Sequence, residues 1–257
     1  MWTTEKLELL CAEAWPAVIE DELGGWRLRA AYDMTPEDVR GRPFTGRANS
    51  ALAIGDPGLP VPQALEAVCE FAHTHGIPPM VQAIEGSETE RAIEAAGWLP
   101  NVAHASGHRV SVLVGPLATG DSEVPILAEP TPGWWELAVG SPAPTPAQRH
   151  VLTGGETGFG IVEMDGVTAG AVRAAVVEDV LVVARLAVRP EYRRRGLAKA
   201  LMAACGRWAA GRGAAACVLQ VDVRNAPALA LYQSLGFRGD HRYRYWVPPS
   251  PWKDRFL

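Results

Sequence analysis

The sequence predicts an α/β fold built twice on one plan, and three observations carry that expectation. The run Val180–Val188 is apolar, rich in valine, too short for most helices and closed by Arg189-Pro190, as a buried strand is. After it Leu197, Ala200, Leu201, Ala204 and Trp208 recur at helical spacings and make one apolar stripe. Third, the order strand, loop, helix, short strand, helix ending in Gly-aromatic, strand occurs over 44–114 and again over 180–247. Gly97-Trp98 in the first half answers Gly236-Phe237 in the second.

Taken in order, residues 1–20 read as an amphipathic helix carrying Leu7, Leu10, Ala14 and Ile19, interrupted near Pro16. Residues 26–31 alternate as a strand, a polar proline-bearing loop follows, and 44–54 reads as a further strand. The glycines and prolines of 55–62 make a loop that feeds a helix over 63–75, stopped by Gly76. A short strand at 80–84, a helix from about 88 to 96 and an alternating strand over 104–114 complete the first half. Residues 117–132, rich in Gly, Pro, Asp and Glu, read as a connector. Two short helices near 134–137 and 147–152 precede a hairpin of 159–163 with 168–177. Past the central strand and its helix come a strand at 216–223, a helix at 227–235 and a last strand at 241–247.

The composition suits a packed globule, with 257 residues, 48% of them hydrophobic and 21% charged. A net charge of −5 argues against a general nucleic-acid surface. No apolar run reaches the roughly 18 residues of a membrane span, and the first residues lack a signal-peptide core, so a cytoplasmic protein is expected. Cys11, Cys69, Cys205 and Cys217 are scattered through apolar contexts and read as reduced core residues, and no metal site is expected.

The chemistry concentrates in the turn Arg193-Arg194-Arg195-Gly196-Leu197-Ala198 between strand and helix. The first amides of a helix have no internal partner and carry its positive dipole end, so such a turn binds anions. Gly196 lets a ligand approach the backbone, and the arginines add charge where a diphosphate would sit. The first half has Asp56-Pro-Gly-Leu-Pro60 at this place, bringing an acid and prolines where a diphosphate needs donors. Counting back from the Gly-aromatic pairs sets Ile93 opposite Tyr232 and Gly86 opposite Asn225.

The pattern Arg193-x-x-Gly196-x-Ala198 after Leu186-Ala-Val-Arg-Pro-Glu-Tyr192 resembles the acetyl-CoA signature of the GNAT superfamily of N-acetyltransferases. The run Asn225-Ala-Pro-Ala-Leu-Ala-Leu-Tyr-Gln-Ser-Leu-Gly-Phe237 is similar to the superfamily's second signature. The resemblance implies two GNAT-like domains, each a mixed, mostly antiparallel sheet flanked by helices. Residues 1–120 would be a degenerate copy and 121–257 the acetyl-CoA-binding catalytic domain.

It further implies that Leu186, Ala187 and Val188 pair with the pantetheine arm of coenzyme A as a strand would. Arg193, Arg194, Arg195, Gly196, Leu197, Ala198 and Lys199 would hold its pyrophosphate. Asn225 would cap its helix and contact the arm, and Tyr232 would protonate the departing thiolate. Read by their residues alone, Asn225 serves equally as a plain cap and Tyr232 as a core aromatic.

The amine's base has no such assignment. Glu163, Asp222, Gln220 and the pair Glu178-Asp179 are the candidates, with Asp222 either the base or a strand-end acid paired to Arg224, and a water chain the other route. Arg185 either binds a substrate carboxylate or extends to the surface. Acetyl transfer to a primary amine by direct attack is the leading expectation. Transfer of another acyl group, or a non-catalytic acyl-CoA sensor, stands beside it. The acceptor, a small molecule or a protein amine, and the oligomeric state carry no motif.

Overall fold

The structure is a computed structural model that describes residues 2–31, 44–104 and 107–249. The loop expected after Ala31 lies outside the described residues.

The first half comprises α1 (Thr4–Glu13), β1 (Ile19–Leu23), β2 (Trp26–Ala30), β3 (Ala51–Ala53), α2 (Val61–Thr74), β4 (Val81–Ile84), α3 (Glu88–Ala95), β5 (Leu99–Pro100) and β6 (Arg109–Gly115). The second comprises β7 (Ile126–Leu127), α4 (Pro132–Val139), α5 (Pro146–Thr153), β8 (Glu156–Met164), β9 (Val167–Val177), β10 (Val180–Val188), α6 (Leu197–Ala210), β11 (Ala216–Asp222), α7 (Ala226–Ser234) and β12 (Arg238–Val247). No helix among the described residues is long and apolar enough to cross a membrane.

Several expectations change, among them the strand of 104–114, which starts only at Arg109. The single N-terminal helix stops at Glu13, and Ile19–Leu23 is instead a strand paired to β2, because Pro16 cannot continue the helix. Of 44–54 only Ala51–Ala53 is strand, since 44–50 spends its backbone in turns, with Asn49 accepting from the Ala31 amide and donating to Ala31 and Thr45 carbonyls. The connector contains β7, which pairs the β8 edge at Ile126 with Gly160.

The sheet is mixed and mostly antiparallel, with the order β1-β2-β3-β4-β12-β6-β11-β10-β9-β8-β7. Its two parallel pairs, β3 with β4 and β10 with β11, sit at equivalent places in the two halves. The last strands are exchanged: β6 of the first half pairs with β11, while β12 of the second pairs with β4. This joins the halves edge to edge in one sheet.

The alternation of each strand sorts the core by face. Leu181, Val183, Leu219 and Val221 pack with Leu201, Met202 and Tyr232 of α6 and α7. Val180, Val182, Val218, Val110 and Tyr243 pack instead with Leu7 and Leu10 of α1. All four cysteines are buried free thiols, and burial raises the thiol pKa of each, Cys205 to about 12.

The halves also repeat in detail. The amide after each long helix donates across a left-handed glycine, Ile77 to the Ala72 carbonyl and Ala214 to that of Ala209. Trp98 N–H likewise donates to Ile93 and Phe237 N–H to Tyr232, across Gly97 and Gly236. The cap of α3 is Ser87 rather than Gly86, because α3 has 8 residues and α7 has 9.

Candidate active site

The site is made where two neighbouring strands part. β10 and β11 pair in parallel from Val180 with Ala216 to Val183 with Leu219, and no further. β11 continues to Asp222 alongside β6, while β10 continues to Val188 alongside β9. Residues 184–188 of β10 therefore have no ladder partner on the β11 side. Open strand edges of this kind are receptors for another extended chain.

A bulge in β10 redirects what the open edge presents. The register against β9 shifts between Ala184 and Ala187, and Arg185 holds φ at +54° within the shift. Strict alternation would put residue 185 on the face of Leu181 and Val183, and the inserted residue moves it to the other face. Leu186 and Val188 then pack on the α6 side, whereas the Arg185 guanidinium donates to the carbonyls of Ala138 and Phe44, each at 3.3 Å.

At the exit of β10 a single tight turn, Pro190–Tyr192, precedes Arg193, Arg194 and Arg195, all exposed. Arg193 Nε donates to the Val188 carbonyl at 3.1 Å, which ties the turn to the strand it leaves. Gly196 stands at the N-cap of α6 with φ +79° and gives the helix no side-chain cap, so the first-turn amides face outward. A Cβ at Gly196 would meet nothing within 4 Å, so the requirement for glycine is conformational. A local charge of four cations with Lys199, an uncapped helix start and an open strand edge fit a diphosphate joined to an extended arm.

Tyr232 lies on α7, 8% exposed and tilted on Phe237 at 5.8 Å between ring centroids. Burial, with Cys217 nearby, raises its hydroxyl to about 12, so it keeps its proton through the neutral range. Asn225 caps α7, its Oδ1 accepting from the Ala228 amide at 3.3 Å.

On the opposite face of the parted strands lies a cavity of about 170 Å³ whose walls include Arg47, Arg185, Gln220, Asp222, Tyr243 and Tyr245. Asp222 is held by Arg224 through its side chain at 2.7 Å and through the backbone amide at 2.9 Å, which keeps the carboxyl below the usual range. It is therefore the strand-end ion pair. Glu163 accepts from the Thr168 hydroxyl, Glu178 pairs with Lys6 at the surface, and Gln220 accepts from Arg47 at 3.0 Å.

Sequence reasoning missed Trp15, Arg47 and Arg173. Three guanidiniums gather over the buried Trp15 indole, those of Arg47, Arg173 and Arg185, at 4.1, 5.2 and 5.6 Å from its centroid. Burial, then repulsion from Arg47 and Arg185, lowers Arg173 to about 9, and burial with Arg47 lowers Arg185 to about 10. Both stay charged at neutral pH. A lone arginine inside the apolar strand around Val172 and Ala174 was the one available signal.

A family described as "Probable histone acetyltransferase Rv0428c C-terminal" matches residues 3–246. The "[Ribosomal protein bS18]-alanine N-acetyltransferase" of Escherichia coli K12 is 39% identical over 75 residues, 29% of this chain and 51% of that protein. The chain thus spans about half the length of the curated relatives it matches. A GCN5-related N-acetyltransferase from Kribbella flavida has the same fold, with a TM-score of 0.70 at 16% identity over 97% of each chain. A tandem GNAT protein from the clavulanic acid biosynthesis pathway superposes with a TM-score of 0.56 at 14% identity, covering 80% of this chain and 75% of that one.

Proposed function

Since the chain belongs to the family described as "Probable histone acetyltransferase Rv0428c C-terminal", within the GNAT superfamily, we propose that it moves an acetyl group from acetyl-CoA to a primary amine. The observation that carries this reading is the parting of β10 from β11 after Val183, with the arginine and glycine turn at the end of the freed strand. In this reading residues 121–257 form the catalytic domain and residues 1–120 a degenerate copy that walls the acceptor side.

Acetyl-CoA would supply the thioester whose carbonyl carbon the amine attacks. The backbone of Leu186, Ala187 and Val188 holds the pantetheine arm, and the turn from Arg193 to Lys199 receives the pyrophosphate on its side chains and amides. Asn225, beyond capping α7, contacts the arm. The parted strands leave a gap between the face carrying Tyr232 and the face carrying the cavity, so amine and thioester meet from opposite sides. As the C–N bond forms and the C–S bond breaks, the Tyr232 hydroxyl delivers its proton to the sulfur, and the amine's proton leaves through water in the cavity. The acetyltransferase names of the relative and of the neighbouring structures support the same reaction class.

Calorimetric titration with acetyl-CoA, followed by incubation of the complex with an amine library while free thiol is measured, tests the reading. Binding with thiol release is expected. Binding without release from any amine gives a sensor instead, and absence of binding overturns the proposal.

A further inference from the structure

The acceptor cavity carries positive charge that no ion pair neutralises among the described residues. Arg47, Arg173 and Arg185 surround one indole, and none of them has an ion-pair partner among the described residues. Among the described residues, nearby carboxylates are committed elsewhere: Asp222 to Arg224, Glu8 to His241 and Gln82, Glu20 to Arg29. A fully buried cation without a counter-ion, as Arg173 is, is costly, and a fold retains it where something else supplies the anion.

The donors that remain point the same way. Arg173 is 0% exposed and bonds the carbonyls of Val151, Leu152 and Gly154, with Nη1 unpartnered. Arg185 Nε is also buried without a partner, on a residue that holds φ at +54°. Arg47 and Arg185 both line the cavity, while Arg173 adds charge from behind. Two guanidiniums facing one small space, with terminal donors resting on the neutral acceptors Gln220, Ala138 and Phe44, suit a carboxylate, which accepts from such forks more strongly than neutral oxygens do. The remaining wall mixes the rings of Phe44, Tyr243 and Tyr245 with Val110, Gln220 and Asp222, the last held by Arg224.

We infer that the acceptor is a compact amine bearing a carboxylate, with the carboxylate held by Arg47 and Arg185 so that the amine faces the gap between β10 and β11. This rests on the acetyl-transfer reading and names its substrate class. It disfavours acceptors whose surroundings are cationic, because the same guanidiniums repel them.

The test uses matched acceptors with the full chain and acetyl-CoA: alanine, phenylalanine and β-alanine against the corresponding amides, and a lysine-rich peptide. Thiol release is expected to be at least about tenfold faster, in kcat/KM, for the carboxylates than for their amides. Arg47→Gln should raise KM for the carboxylates by about tenfold or more without moving acetyl-CoA affinity, which separates it from general damage to the fold. Arg185→Lys, which keeps the charge and removes the fork, should raise the same KM. The inference is overturned if amides or the peptide react as well as the carboxylates, if acetyl-CoA binds and no carboxylate-bearing amine reacts, or if Arg47→Gln weakens both sets equally. Loss of acetyl-CoA binding by the unaltered protein would instead overturn the reaction class.

Discussion

Each half of the molecule runs a strand of its sheet through a turn into a helix of 14 residues, α2 or α6, and the two turns have opposite chemistry. After β10 the helix starts at a left-handed glycine with arginines before it and uncapped amides exposed. After β3 it starts at Pro60 with Pro62 in the first turn, which removes an amide, and Asp56 turns inward to accept from Gly58 at 2.8 Å. The tip of the β1–β2 hairpin also sits on that turn, with Gly25 N–H donating to the Asp56 carbonyl at 2.6 Å, and a Cβ at Gly24 would lie 2.4 Å from Pro57. The neighbouring strands follow suit: β3 stays paired with β4 along its full length, while β10 leaves β11 after four residues. A shared backbone plan thus gives a closed, self-satisfied junction in one half and an open, charged one in the other.

The largest effect should come from making the open turn resemble a closed one. Gly196→Val forces a β-branched residue to φ +79°, and the change should abolish acetyl-CoA binding by calorimetry. Gly58→Ala, at φ +73° in the other half, should cost about 1–2 kcal/mol of stability and leave that binding unchanged. Equal loss from both would erase the distinction between the turns.

Next is the pair of helical positions that follow. Tyr232→Phe should lower kcat by about a hundredfold with acetyl-CoA affinity kept, and with a hydroxyl near 12 in the wild type no alkaline loss from this group is expected in the neutral range. Its counterpart Ile93, fully buried, should show only packing: Ile93→Val should cost about 1 kcal/mol in denaturant unfolding with turnover per folded molecule unaltered. Unchanged kcat in Tyr232→Phe would move the acid role elsewhere.

The smallest effect concerns the seam between the halves, where His241 of β12 bonds Glu8 of α1 and Asp240, each at 2.7 Å. Burial pulls the imidazolium pKa down, but the hydrogen bonds and charge of Glu8 and Asp240 outweigh it, and the net shift is upward from 6.5. A group raised in the folded state contributes stability that is complete below 6.5 and fades as pH rises through its folded pKa. Thermal unfolding should therefore show Tm falling on the alkaline side, and His241→Gln should flatten that slope. A parallel slope in the variant would assign the pH dependence to other groups.

Where an element depends on near neighbours in the chain, it was legible in advance. The turn at Arg193–Gly196, the helix carrying Tyr232 and the Gly-aromatic stops all follow from local spacing, caps and left-handed glycines. The N-terminal helix over-ran because Ile19 fits a helical stripe as well as a strand, and only its pairing with Ala30 decides between them. The Asp222–Arg224 pair was readable because a single residue separates its members. Arg47 gave no signal, since its partners Trp15 and Gln220 lie far along the chain.

The sequence by itself determined the α/β plan, its repetition, and the turn of arginines and glycine at the head of α6, because periodicity, backbone conformation and helix-end charge act over a few residues. Tertiary structure alone decided that β6 and β12 change places, that β10 parts from β11 with Arg185 turned across the sheet by a bulge, and that three arginines meet over Trp15. Those outcomes depend on pairings between distant segments, whose energies are settled only when the whole sheet and both of its faces are packed.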